Sequence, residues 1–387
     1  MSGLTSTEQR ALKAIAVQFF VNGAVVASYV PRLPGIRDRL GVSLGTIGLV
    51  IAVATGFGVV GSVVQGPVVH RYGTRAAMLY GGVALVAFLP LVAFSPRWWI
   101  LLVVLGLLSV ADVVVDVSMN VQGSRLSARR STPVMNRLHG MWSLGTVIGG
   151  LVASLMAVLD VDLRIHLIGA ALVLGASLIY VAPGLLRDDE LLADDRAGEQ
   201  TNSNAGRTVI TTFVVLGGAA ILPEMITSDW AAFRLTDDLD ATAGLAAIGF
   251  VTFTTGMVIG RFAGDFVVER IGSQTVLRYA TALAALGTLV ATVIPSIAAV
   301  FIGLVMAGLG VSIMFPQLYD QAAQHPHKAS ALGGLTAGSR IMLLIAPLAV
   351  GLLADTDLFS VGAAIAIATI PGAILVWILS TQYLRPS

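Results

Sequence analysis

"GSVVQGPVVHRYG", residues Gly61 to Gly73, has a counterpart in "GRFAGDFVVERIG", residues Gly260 to Gly272. Both end glycines coincide, as do Val68 with Val267, Val69 with Val268 and Arg71 with Arg270, at an offset of about 200 residues. Small residues recur every fourth position, Gly58, Ser62 and Gly66 in the first stretch and Gly256, Gly260 and Gly264 in the second. That spacing lets another helix approach closely in a bilayer. Long apolar runs flank both stretches, so the simplest account is one helical unit used twice.

Composition names the solvent. Of 387 residues 56% are hydrophobic and only 12% charged, with a mean hydropathy of +0.87, whereas soluble domains carry roughly 25% charged residues. A soluble chain this long could not coat its surface with so few charges, while a polytopic membrane protein needs none where it meets lipid. A bilayer core of about 30 Å takes about 20 helical residues. Twelve apolar runs of that order are expected, at roughly 12–31, 44–68, 76–94, 98–120, 136–158, 164–184, 208–228, 242–264, 275–294, 297–319, 330–352 and 360–383.

Between the sixth and seventh runs lies "LRDDELLADDRAGEQTNSNAGR", polar and without apolar periodicity, which reads as a flexible linker. The expected organisation is therefore a six-helix bundle over 1–184, a linker over 185–207 and a second bundle over 208–387. Basic residues such as Arg71, Arg75, Arg125, Arg137 and Arg270 fall on one side of the spans, and fewer, such as Arg32, Arg97 and Arg164, on the other. By the positive-inside rule both termini are expected in the cytoplasm of an inner (plasma) membrane protein. "MSGLTSTEQRALK" lacks the plan of a cleaved signal, so the first span is expected to be retained. A net charge of +1, with scattered basic residues, speaks against a nucleic-acid partner. Zero cysteines leave no disulfide framework, thiol nucleophile or thiolate metal site.

Within these greasy spans a few polar positions stand out. "ADVVVDVSMN" places Asp112, Asp116 and Asn120 four apart, one stripe on a helix. Burying an ionised carboxylate in a bundle costs about 2.5 to 3.5 kcal/mol on insertion scales, so such groups face a cavity or a partner. Asp116 is the first choice for exchanging a proton, with Asp112 second; the alternative is a structural carboxylate tied to His139 or to loop arginines. Glu224, just after Pro223, is a further proton or substrate site, or else it marks a helix end. Arg340 lies too deep to snorkel and should meet a carboxylate or an anionic substrate. Gln18 and Asn22 are candidate substrate contacts on the first helix, and His139 shares a face of the fifth with Asn136, Ser143 and Thr146. Gln317 and Tyr319 are equally open to substrate contact or helix packing. Asp229 sits beside Trp230, which is expected to anchor at the water interface.

These residues resemble the major facilitator superfamily of secondary transporters over nearly the whole chain. "GPVVHRYGTR" is similar to its loop signature between helices 2 and 3, with Gly66, Arg71, Gly73 and Arg75 in place and His70 where the acid is usual. Glu269, Arg270 and Gly272 fit the same frame in the second half, where Arg261 and Asp265 add a pair one turn apart. The resemblance assigns these positions to conformational gating. "DVSMN" is similar to the acid, three residues, Asn pattern on helix 4 of the fucose:proton symporter branch, and "SLGT" (Ser143 to Thr146) resembles its helix 5. Carried over, Asp116 takes the acid's role and Asn120 that of the adjacent amide.

Two enzyme-like strings are set aside. "GVSLG" (Gly41 to Gly45) has no strand before it, so Ser43 reads as a helix cap, and "GFGVVG" (Gly56 to Gly61) lies inside a span. The expectation is an all-α membrane protein, twelve transmembrane helices in two pseudo-symmetric six-helix bundles of the major facilitator fold, and not an enzyme. It should carry a small molecule by proton-coupled alternating access, with symport of a sugar-like polar solute as the first reading. The alternatives are proton-driven export of a drug or hydrophobic metabolite, or a non-transporting sensor. Expected partners are the substrate, protons and lipid, with no cofactor and no metal, in a monomer.

Overall fold

A chain immersed in hydrocarbon must satisfy its backbone hydrogen bonds internally, and a helix does so within one segment. The computed structural model describes residues 6–128, 134–186 and 207–383, and every regular element among them is helical. In chain order they are α1 (Ser6–Tyr29), α2 (Leu33–Leu40), α3 (Leu44–Phe94), α4 (Trp98–Ala128), α5 (Met135–Val158), α6 (Leu163–Val181), α7 (Arg207–Leu239), α8 (Ala243–Ile271), α9 (Ser273–Val293), α10 (Ile297–Gln324), α11 (Lys328–Ala354) and α12 (Val361–Tyr383). A 3-10 turn, Val30–Arg32, runs α1 into α2.

Eleven of the described helical segments are long and apolar enough to cross a membrane, α1 and α2 counting as one. The twelfth crossing is inside α3. At about 1.5 Å per residue its 51 residues would stretch about 76 Å, far beyond a bilayer core. Gly73 breaks it, at φ 80 and ψ 165, a backbone region open to glycine alone. A Cβ built on Gly61, before the break, would meet Val110 and Val113 of α4, and one on Gly81, after it, would meet Val115. Both arms thus lie on the same turns of α4, and the chain reverses at Gly73. Gly272 (φ 83, ψ 147) makes the same reversal between α8 and α9, whose Gly260 and Gly287 both pack on α10.

Several helices outrun the apolar stretches that announced them: α4 continues to Ala128, α7 to Leu239 and α8 to Ile271. The ladder of backbone hydrogen bonds continues through charged residues, so hydropathy marks the membrane core and not the helix end. Gly66 departs from its expected role in close packing, because no heavy atom lies within 4 Å of a Cβ built there. Helices that cross are close only near the crossing point, and α3 meets α4 at Gly58 and Gly61. Hydroxyls inside the spans turn back on their own helices, as Ser118 does to the Val114 carbonyl at 2.7 Å. Ser43 opens α3 as a cap, accepting the Thr46 N–H at 3.2 Å.

Contacts group the chain into two units, Met1–Arg32 with Val53–Glu199, and Leu33–Ala52 with Gln200–Ser387. In the first, α1 and α5 touch backbone to backbone: a Cβ on Gly145 would stand 2.1 Å from the Phe20 carbonyl oxygen, and one on Gly23 2.2 Å from that of Trp142. In the second, α7 and α11 repeat this through Gly217 and Gly338. The segment Leu33–Ala52 is held in the second unit by polar ties. Arg37 pairs with Asp237 of α7, and the Gly45 N–H donates to Asp355 at 2.8 Å. The expected linker at 185–207 falls almost wholly outside the described residues.

Candidate functional site

The site grows from the α4 stripe in the first unit. Asn22 of α1 donates its amide to the Asp112 carboxylate at 2.9 Å, and Trp142 of α5 donates its indole N–H to the Asn22 carbonyl at 3.0 Å. One side-chain chain therefore runs through α5, α1 and α4. It exists because the Gly23 and Gly145 contacts bring α1 and α5 within reach. One turn along, Asn120 donates to the Asp116 carboxylate at 3.0 Å and to its backbone carbonyl at 2.8 Å. Asn22 is buried, while Asp112, Asp116 and Asn120 are half-buried.

The repeat allows a control inside the molecule. Gly61 and Gly260 stand 199 positions apart, as do Gly73 and Gly272, and that offset aligns α4 with α10. Where α4 has Asp112, Asp116 and Asn120, α10 has Val311, Phe315 and Tyr319. The corresponding helix of the second unit thus forms without these acids.

Other candidates divide. Gln18 is fully buried, with Gly82 and Leu178 beside it, and neither amide atom finds a hydrogen bond among the described residues. His139 is exposed, its ring edge-on to Phe19 with centroids 5.3 Å apart; the side chain of its expected neighbour Asn136 is outside the described residues. In the second unit Glu224 pairs with Arg261 of α8 at 3.5 Å. The side chain of Asp265, the partner that spacing suggested for Arg261, is outside the described residues. Gln317 is buried and accepts from the Ser273 hydroxyl at the start of α9, a tie between helices and not an open contact. Tyr319 is exposed, its hydroxyl 2.9 Å from that of Thr336 in α11, and Arg340 is exposed within α11.

Trp230 is not an interface anchor. It is 0% exposed and packs on Phe233 at 5.2 Å, because α7 continues past the expected span end and carries the indole into the interior. Trp142 is the residue the sequence reading missed. Its one signal was an indole deep within a span instead of in the interfacial belt.

At the turns, Arg71 lies 5.4 Å over the Tyr72 ring and Arg270 lies 4.0 Å over Phe266, one cation on one aromatic in each repeat. His70 and Glu269 are exposed. Arg75 donates to the Ala182 carbonyl at 3.0 Å, closing the end of α6.

A family model described as Major Facilitator Superfamily matches residues 15–316. Membrane protein MosC of Rhizobium meliloti is 24% identical over 314 residues, 81% of this chain and 75% of that protein. An uncharacterized MFS-type transporter of Yersinia pestis is 25% identical over 346 residues, 89% and 88% of the two chains. Among solved structures, a mutant of the nucleoside transporter NupG superposes with a TM-score of 0.76 at 13% identity, covering 96% of this chain and 98% of that one. A bacterial homolog of the human lysosomal transporter Spinster, inward-facing and occupied, gives 0.66 at 14% identity, covering 98% and 96%. At such identities these two likenesses speak for the fold alone.

Proposed function

The chain belongs to the major facilitator superfamily, a family of membrane transporters, and from that premise we propose that it carries a small hydroxyl-bearing solute, such as a sugar, together with protons. The observation that supports this reading is the run from Trp142 through Asn22 to Asp112. An indole face suits the C–H face of a sugar ring, and an amide beside a carboxylate offers both a donor and an acceptor to its hydroxyls. Asn22 and Asp112 hold each other in register, so the contact is pre-formed.

Asp116 is the proton carrier in this reading. Among the described residues its carboxylate is bonded by Asn120 of its own helix, so gaining a proton there breaks no bond between helices. The similarity of Asp116 to Asn120 with the helix 4 pattern of the fucose:proton symporter branch supports the same assignment. One charge crossing 100 mV is worth about 2.3 kcal/mol, enough to drive a sizeable solute gradient. The protein works in the inner membrane with both termini in the cytoplasm.

The test uses right-side-out vesicles, an imposed pH gradient and a panel of labelled monosaccharides and nucleosides, with dye efflux measured in parallel. Uphill uptake of a panel member is expected, abolished by Asp116→Asn while counterflow of the same solute persists. Undiminished accumulation by that variant removes Asp116 from the coupling. Dye efflux without uptake reverses the direction and replaces the solute class with a hydrophobic one.

A further inference from the structure

Between the two arms of α3 and the middle of α4 the first unit leaves an apolar groove of about 570 Å³, lined by Val68, Tyr72, Tyr80, Phe88, Leu107 and Val110 among others. None of the acids of α4 lines it. The lining runs from Ala76 to Phe88 along the second arm, about 18 Å at ~1.5 Å per residue. One leaflet of hydrocarbon is about 15 Å deep. The groove therefore has the length of one acyl chain reaching inward from the Gly73 end.

That end is basic. Arg71 lies over the ring of Tyr72, which itself lines the groove, and it is exposed. His70 adjoins it and no residue from Gly66 to Arg75 is acidic, so no carboxylate in this turn opposes an anion. Arg75 is partly committed to the Ala182 carbonyl, which leaves Arg71 as the open cation. Basic pockets between membrane helices at that depth suit anionic headgroups.

We propose that this groove is a seat for an anionic phospholipid, its acyl chain between the arms of α3 and α4 and its phosphate on Arg71. The seat is independent of the solute and of proton coupling, and it stands or falls without them. The occupant follows from the two features together: an apolar trough one leaflet deep, and a cation at its mouth whose own turn carries no acid.

The experiment takes the purified full chain in neutral detergent and adds dioleoylphosphatidylglycerol or dioleoylphosphatidylcholine, reading bound lipid by native mass spectrometry and unfolding temperature by fluorescence. The glycerol lipid should be retained about fivefold better than the choline lipid, the preference expected of one basic residue at a membrane surface, and should raise the unfolding temperature more. Arg71→Gln should erase the preference and Arg71→Lys should keep it. Ala84→Trp, which fills the groove, should lose retention of both lipids. Equal retention by the unaltered protein, a preference that survives Arg71→Gln, or lipid still held by a folded Ala84→Trp would overturn the proposal. Should Ala84→Trp fail to fold, the Gln and Lys variants at Arg71 decide it.

Discussion

At residue scale the first unit is organised by a single amide. Asn22 gives its N–H to Asp112 and takes the N–H of Trp142, so its loss strands a donor on one side and an acceptor on the other. Each buried group left unpaired costs about 1 to 3 kcal/mol. Trp142→Phe keeps an aromatic ring but removes the donor together with the pyrrole part of the indole; thermal melts should show about 1 to 3 kcal/mol of lost stability, with a larger loss of solute-induced stabilisation. An unchanged response to solute would separate Trp142 from binding. The stripe of Asp112, Asp116 and Asn120 was legible because a spacing of four belongs to one helix. Trp142 was not, since its partner is on α1 and sequence spacing carries no information across helices. The same limit hid the pairing of Arg261 with Glu224, which lies on α7 and not on its own helix.

At the scale of elements, two kinds of contact hold helices together, and they fail differently. Gly145 admits the Phe20 carbonyl where a side chain would stand. Gly145→Val should force α5 off α1 at a cost of about 1 to 3 kcal/mol, and because Trp142 rides on α5 it should also abolish transport; melting and uptake of one preparation check both. At the far end of α7, Arg234 pairs with Asp238 at 2.7 Å, and Asp238 also accepts the N–H groups of Val361 and Gly362 that open α12. Arg234 and Asp238 side chains are 7% and 11% exposed, against 63% for Asp38 in its pair with Arg37. Asp238→Ala should therefore cost about 3 to 5 kcal/mol by stranding a buried guanidinium, and Asp38→Ala less than about 1 kcal/mol. Similar melting losses for the two variants would contradict this burial argument.

For the whole molecule, hydropathy and the repeat were enough to place twelve crossings, because lipid contact demands apolar length and duplication leaves letters behind. The grouping of Leu33–Ala52 with the residues from 200 onward was hidden, since its ties, Arg37 to Asp237 and Gly45 to Asp355, join positions far apart in the chain. A consequence can be measured. Fragments 1–186 and 207–387, expressed together, should copurify, and Gly48→Leu should weaken the association, because a Cβ at Gly48 would lie 2.4 Å from the Pro347 carbonyl oxygen. Equal recovery with and without the substitution would show that this segment does not hold the fragments together.

Gly73 and Gly272 share a backbone shape that a side chain strains by about 1 to 3 kcal/mol wherever it is imposed. Gly66, seven positions before Gly73, has open space around it. A map of tolerated substitutions would consequently show two narrow wells of intolerance, 199 positions apart, with forgiving ground at Gly66. Such a pair would betray the ancient doubling of this chain even after every other letter of the two copies had drifted apart.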